Sequence, residues 1–263
     1  MTLYFDHLVH FIQGNPMEAA KQMKVHGWEG VSGGRHEMWG TYNSLLYAGL
    51  SYIEFLAVED TETAEKSTNP LIQLLIQDQE GFGQVCLRTD GIEKQKEDLE
   101  HKGIQTSSVI HAERRRDNGD MLKWKMLFIE EENPGLPYPF FIEWSGDDEK
   151  RFSEMKQSGI IPEKQAGRKI SSVHFGVEDI EAASEKWSRL LNIQAGEAYM
   201  DKRLGSFCKS IAIGETELIF IEPGGNEYIN ELLAKKGERP FLVTFDGNEE
   251  SETVEIFGGL YRL

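Results

Sequence analysis

Cysteine is scarce in this 263-residue chain: there are two, Cys86 and Cys208. One potential pair is no disulfide framework for a chain of this length, so a reducing, cytoplasmic compartment is expected. Positive charge is also short. The 28 Lys and Arg stand against 45 Asp and Glu, a net charge of −17. That excess repels phosphate backbones and anionic lipid, which argues against nucleic acid and membrane partners. No run approaches the roughly 18 apolar residues of a membrane span. The opening Tyr4-Phe5-Asp6-His7-Leu8-Val9 has no basic, apolar leader character and reads as a strand. Several catalytic signatures are missing as well: G-x-S-x-G, the P-loop, G-x-G-x-x-G after a strand, and H-E-x-x-H. Gly224-Gly225 follows a strand but opens no phosphate-binding signature, so no nucleotide cofactor is expected.

What is present is a repeat. An apolar strand, a helix start, an amphipathic helix ending at Gly or Asn, and further strands recur from Phe5, from Gly83 and from Ser172. A recurring pattern of this length marks a supersecondary unit, here βαβββ. In the first unit a strand over 3–12 precedes Asn15-Pro16, an N-cap followed by a favoured first helical residue. Met17, Ala20 and Met23 keep helical spacing to Gly27, and strands are expected over 28–32, 41–48 and 51–58. The second unit has a strand at 82–89, an Asp90/Glu93 capping box, a helix ending at Gly103, and strands near 105–111, 121–130 and 138–144, with a hairpin turn at Asn118-Gly119. A third unit runs over 169–223, with a helix over 179–191, and a truncated fourth over 226–263 begins with a helix at 226–236. The expected organisation is therefore a domain over 3–145 made of modules 3–60 and 82–145, a linker over 146–168 with at most one helical turn, and a second half over 169–263. The fold class is α+β: paired modules form a curved mixed sheet with helices on its convex face.

Strand side chains alternate faces. If Val85 and Leu87 pack on the helix, Gln84, Cys86 and Arg88 face the other way. Registering the caps of the units makes His7, Gln84 and Ser172 equivalent, all on the concave face, while His10 turns toward the helix. His174 is inward too, as a structural histidine or as part of a second site. Polar groups at equivalent inward positions imply a pocket.

The repeat with these inward positions resembles the vicinal oxygen chelate superfamily, which includes glyoxalase I, extradiol dioxygenases and the bleomycin-resistance proteins. A narrower similarity lies in Gly33-Gly34-Arg35-His36 through Gly40-Thr41-Tyr42-Asn43-Ser44-Leu45, with Asp6-His7-Leu8 and Pro139-Phe140-Phe141-Ile142-Glu143-Trp144. These blocks resemble the glyoxalase-like domain family over about 3–145. The resemblance implies a cup in which a strand-one His or Gln and a last-strand Glu of each module hold a divalent ion (Zn, Ni, Mn or Fe). On that pattern His7, Glu54 and Gln84 are the metal candidates. Aligning strand ends puts Tyr138 where a fourth ligand should match Glu54, leaving a gap. Each candidate has a structural alternative, His7 as a hydrogen-bonded core histidine and Glu54 as a partnered buried carboxylate.

The two glycines before Arg35 and His36 let the backbone approach a ligand closely. Arg35 offers a fork for an acidic group and His36 an acid or base near neutral pH. Trp39 can stack, and Thr41 and Asn43 share one face of the next strand. The alternative is a well-bonded hairpin without a ligand. Of the run Arg114-Arg115-Arg116, Arg116 is expected to reach the cup; Phe141 and Trp144 are expected to bracket an apolar part of the ligand, and Glu143 or His36 to move the proton. Three functions follow. One is a lyase-, isomerase- or dioxygenase-type enzyme acting on a small molecule at a divalent ion. Another is a metal-free protein that binds or sequesters a small molecule. The third is a catalytically inactive relative that acts through protein contacts. The resemblance allows a homodimer.

Overall fold

The computed structural model describes residues 2–115, 121–130, 135–247 and 252–263. The first βαβββ unit is β1 (Leu3–Phe11), α1 (Pro16–Val25), β2 (Val31–His36), β3 (Thr41–Ala48) and β4 (Ser51–Val58). Two short helices, α2 (Thr61–Glu65) and α3 (Pro70–Asp78), lead to the second unit: β5 (Gly81–Thr89), α4 (Ile92–His101), β6 (Ile110–Arg115), β7 (Met121–Leu127) and β8 (Phe140–Trp144). After α5 (Asp148–Gln157), the third unit is β9 (Ile170–Gly176), α6 (Ile180–Leu191), β10 (Tyr199–Asp201), β11 (Ser206–Ile213) and β12 (Thr216–Ile221). The chain closes with α7 (Glu227–Lys236), β13 (Arg239–Phe245), β14 (Thr253–Ile256) and β15 (Gly259–Arg262).

These strands make an eight-stranded sheet, β2-β3-β4-β1-β5-β8-β7-β6, and a seven-stranded sheet, β10-β11-β12-β9-β13-β15-β14. Each is two modules joined by antiparallel pairing of their first strands, β1 with β5 and β9 with β13. Within each module the first strand lies parallel to the last. Paired βαβββ modules on curled mixed sheets are the expected fold.

Helix starts follow local chemistry. Asn15 accepts from the Met17 N–H and Asp179 from those of Glu181 and Ala182. The helix stripes then bury Ala19, Ala20 and Met23 of α1, Ile92 and Leu99 of α4, and Ile180, Ala183, Trp187 and Leu190 of α6. All join one apolar core with the helix-facing strand residues of both sheets. The helix-bearing faces thus share a core, and the concave faces turn outward. His10 sits at this junction, as its position toward the helix implies: Nδ1 meets the Tyr261 hydroxyl and Nε2 the Phe257 carbonyl.

Three local expectations are corrected. The strand expected over 28–32 is β2 at Val31–His36, so Arg35 and His36 lie in the sheet rather than in a loop. Asp90 does not cap α4; Gly91 is the N-cap, and the Glu143 carboxylate accepts from the Ile92 N–H at 2.7 Å. The segment after β8 holds the ten-residue helix α5, capped by Asp147, with Arg151 stacked 4.8 Å over Trp144. The helix expected at 226–236 is α7, which precedes the first strand of the last module as α3 precedes β5. The last module is therefore three strands without a crossover helix. Asn118-Gly119 lies outside the described residues.

Burial and nearby Lys236 hold the pKa of His10 down to about 4, below its ordinary 6.5. Burial and Arg262 hold that of His174 down to about 3. As pH falls below 6.5, the unfolded chain takes these two protons before the folded one does. Their contribution is therefore complete above that pH and is lost on acidification. Denaturant unfolding should lose up to about 2.7 kcal/mol per pH unit between about pH 6 and 5, and His10→Gln should roughly halve that slope.

Candidate functional site

The concave face of the first sheet is set by alternation. Val9 and Phe11 of β1, Cys86 of β5, Met126 of β7, and Phe140 and Ile142 of β8 form one apolar lining with Leu71 and Leu75 of α3 laid across it. Gly83 makes this possible on β5, because a Cβ there would stand 2.1 Å from the Phe11 ring. His7, His36, Trp39, Thr41, Asn43, Tyr52, Glu54, Trp124 and Trp144 complete the walls of a cavity of about 100 Å³.

His7 is the centre of the polar floor. Its ring stacks on Tyr52 at 4.5 Å and meets Phe140 edge-on at 5.4 Å. Nδ1 is 2.8 Å from Asp6 Oδ1, and Nε2 stands 3.4 Å from Glu54 Oε2. Asp6 is fully buried, and its other oxygen accepts from Arg88 at 3.1 Å and from the Trp144 indole at 3.0 Å. Burial opposes ionisation of Asp6, but His7, Arg151 and Arg88 outweigh it and hold its pKa well below the usual carboxylate range. Burial likewise works against charge on His7, and the surrounding Cys86, Asp6 and Glu54 reverse it, raising its pKa. Glu54 is shifted downward: its desolvation is overcome by His7, His36 and Asn43.

Asn43 explains Gly33. Its amide donates to Glu54 at 2.5 Å, and its Oδ1 accepts from the Gly34 N–H at 2.7 Å. A Cβ on Gly33 would lie 1.8 Å from that Oδ1, so only glycine lets Asn43 bridge β2 and Glu54. His36 Nδ1 lies 3.1 Å from Thr41 Oγ1 on the same wall.

The structure therefore gathers His7, Glu54, His36, Trp39, Thr41, Asn43 and Trp144 around one cavity. Gln84 is not among the residues lining the cavity; it is buried two residues before Cys86, its Nε2 donating to the Tyr138 carbonyl at 3.0 Å. Three expected site residues are elsewhere. Glu143 and Phe141 sit one residue out of phase with Phe140, Ile142 and Trp144. Phe141 belongs to the helix-side core, and Glu143 caps α4 and pairs with Lys125 at 3.2 Å. Neither can bracket a ligand or move its proton. The Arg35 side chain is 70% exposed and bound to Glu59 at 2.7 Å, outside the cavity. Arg116 lies outside the described residues.

Strand pairing also locates the fourth ligand position. Glu54 stands beside Val9, two residues after His7, and Phe140 stands beside Cys86, two after Gln84. Phe140, not Tyr138, is thus the counterpart of Glu54, and it cannot coordinate. Asp6, His7 and Cys86 also bring ligand atoms within 4.8 Å of one another. Both Asp6 oxygens are already engaged, however, and burial pushes the Cys86 thiol up to about 12. That trio therefore offers no unengaged anionic ligand. Sequence reading missed Asp6, Tyr52, Phe140 and the α3 cover. The period of two pointed to Tyr52 and Phe140, and Asn69-Pro70 before Leu71, Ile72 and Leu75 is the signature of α3.

The glyoxalase-like domain model matches residues 5–191. The chain belongs to the glyoxalase-like domain family. The match extends past the first sheet into the third unit. This glyoxalase-like protein is similar to a hypothetical protein from Staphylococcus aureus, with a TM-score of 0.80 at 21% identity, covering 99% of this chain and 98% of that one. A mutant 4-hydroxymandelate synthase from Streptomyces coelicolor aligns with a TM-score of 0.60 at 10% identity, covering 93% and 71%. Both likenesses are of fold. No protein of curated function matches the chain. Among the described residues no helix is long and apolar enough to cross a membrane.

Two substitutions test the floor of the cup. Gly33→Ala should displace Asn43 and cost about 1–3 kcal/mol in denaturant unfolding, against no measurable change for exposed Ser32→Ala. Asp6→Ala should cost about 3 kcal/mol in the same assay, because it strips Arg88, His7 and the Trp144 indole of a shared buried partner.

Proposed function

We propose that this glyoxalase-like protein is an enzyme acting on a small molecule with neighbouring oxygens, at a divalent ion held in the first cup by His7, Gln84 and Glu54. One observation carries the reading. His7 Nε2 and Gln84 Oε1 are both buried without a hydrogen-bond partner, and the Glu54 carboxylate stands next to the first. Buried polar atoms are rarely left unmatched, and imidazole, amide oxygen and carboxylate suit such an ion. Three protein ligands with Phe140 in the fourth place match a catalytic centre that keeps coordination positions open.

The ion, when bound, supplies Lewis-acid polarisation of a substrate oxygen. The chain's own residues do the rest. Asp6 fixes the ring of His7 so that Nε2 faces the ligand side. Asn43 holds Glu54. His36, on the wall it shares with Asn43 and Glu54, is the side chain placed to take or give a proton. Trp39, Trp124, Trp144 and α3 keep water out.

The walls also limit the substrate. The cavity is about 100 Å³, against roughly 300–1,000 Å³ for pockets that enclose drug-sized ligands. No Arg or Lys is among its described lining residues. The substrate is therefore compact and carries no strongly acidic group that needs a cation of the cup. Phe140 and the aromatic walls favour, as the second reading, a metal-free site that binds a compact apolar molecule.

Elemental analysis of protein purified without chelator separates the two. The enzyme reading predicts about one equivalent of a transition metal. It also predicts a stability gain of roughly 2–3 kcal/mol when Mn, Ni, Zn or Fe(II) is added at about 100 times its dissociation constant. His7→Ala and Gln84→Leu should both abolish that gain. Metal-free protein that no added ion stabilises refutes this reading and leaves the second.

A further inference from the structure

The concave face of the second sheet carries polar groups that the first cup does not use. Arg262 of β15, Thr244 of β13 and Ser172 of β9 are neighbours in register across three strands. His174, two residues after Ser172, shares their face. Its Nε2 lies 2.8 Å from Ser172 Oγ and 3.3 Å from Thr244 Oγ1, while Nδ1 is buried with no hydrogen-bond partner. The Arg262 side chain is half-buried, and among the described residues it makes no hydrogen bond or ion pair.

That is an unusual state for a guanidinium in a chain with 45 acidic residues. Among the described residues its five N–H donors have no protein acceptor, and none of its nitrogens is closed off from solvent, so they are open to a ligand. Burial and neighbouring Arg203 press against its charge, with Asp201 opposing them. Asp201 accepts from the backbone N–H groups of Arg203 and Leu204 through Oδ1 and makes no ion pair with Arg262. The arginine cannot simply swing the strand away, because adjacent Tyr261 is fully buried on the other face and bound to His10.

We propose that Arg262, with Thr244, Ser172 and His174 around it, forms a second ligand site that takes the anionic group of a small carboxylate or phosphate. The planar fork receives two oxygens. Either tautomer of His174 leaves a donor over. If Nε2 donates to Ser172, that hydroxyl keeps its own proton for the ligand; if Nε2 accepts, Nδ1 carries the spare N–H. Exposed Glu217 stands beside Ser172 and opposes a second negative charge. A monocarboxylate is therefore favoured over phosphate. This site lies on the other sheet and does not depend on a metal in the first cup.

The test follows the His174 ring by NMR while the full chain is titrated with acetate or inorganic phosphate at matched ionic strength. Saturable shifts are expected, tighter for acetate than for phosphate. Arg262→Gln should weaken binding at least tenfold, while Lys21→Gln, on the exposed face of α1, should leave it unchanged. Retained histidine signals show that each variant is folded. Binding of phosphate alone supports the site with a phosphate as its ligand. No saturable shift with either anion, or equal affinity in Arg262→Gln, overturns it.

Discussion

The buried carboxylate of Asp6 is the interaction on which the first cup depends. One oxygen holds the ring of His7, and the other gathers Arg88 from β5 and the indole of Trp144 from β8. Three strands of two modules are thus tied at one point beneath the cavity. A buried charge is tolerated only when such partners surround it, so the same contacts that stabilise the sheet also fix the orientation of the histidine facing the ligand. Positioning and stability are here one set of bonds.

Around that centre, the two modules of the first sheet have diverged at equivalent places. The first keeps His7 and Glu54, and the second offers Gln84 and Phe140. The cup is therefore lopsided: polar groups cluster on the β1–β4 side and aromatic rings on the β8–β7 side. Under the proposed function, such a surface would hold the oxygens of a ligand against one wall and its carbon skeleton against the other. The helix α3 sets the depth, because Leu71 and Ile72 reach the cavity.

The second half repeats the architecture with different chemistry. Ser172 stands where His7 and Gln84 stand in the first sheet, and the truncated last module leaves Arg262 near the chain end. The helix α7 buries Ile229 in an apolar cluster with Cys208, Ile219, Ile221, Phe241 and Leu242, covering part of this face as α3 covers the other. The two halves are fastened through His10, Tyr261 and Phe82, and the segment between them is tied to the first sheet by Gln165, whose amide bonds the backbone of Glu29 and Tyr47.

The repeated unit, the Asn15 cap of α1, and the opposed faces of His7 and His10 and of Cys86 and Val85 were readable from residues alone, because strand alternation and helix caps are local properties. Alternation also excluded Phe141 and Glu143 from the face of Trp144, had it been applied to β8. The partners of a residue were not readable. That Asp6 meets Arg88, that Asn43 rather than a ligand explains Gly33, that Glu143 caps α4 and that Phe140 faces Glu54 all follow from strand register and bulges between distant segments. Register is settled only when sheets pair and pack. Local sequence chose which way side chains point, and tertiary pairing decided what they meet.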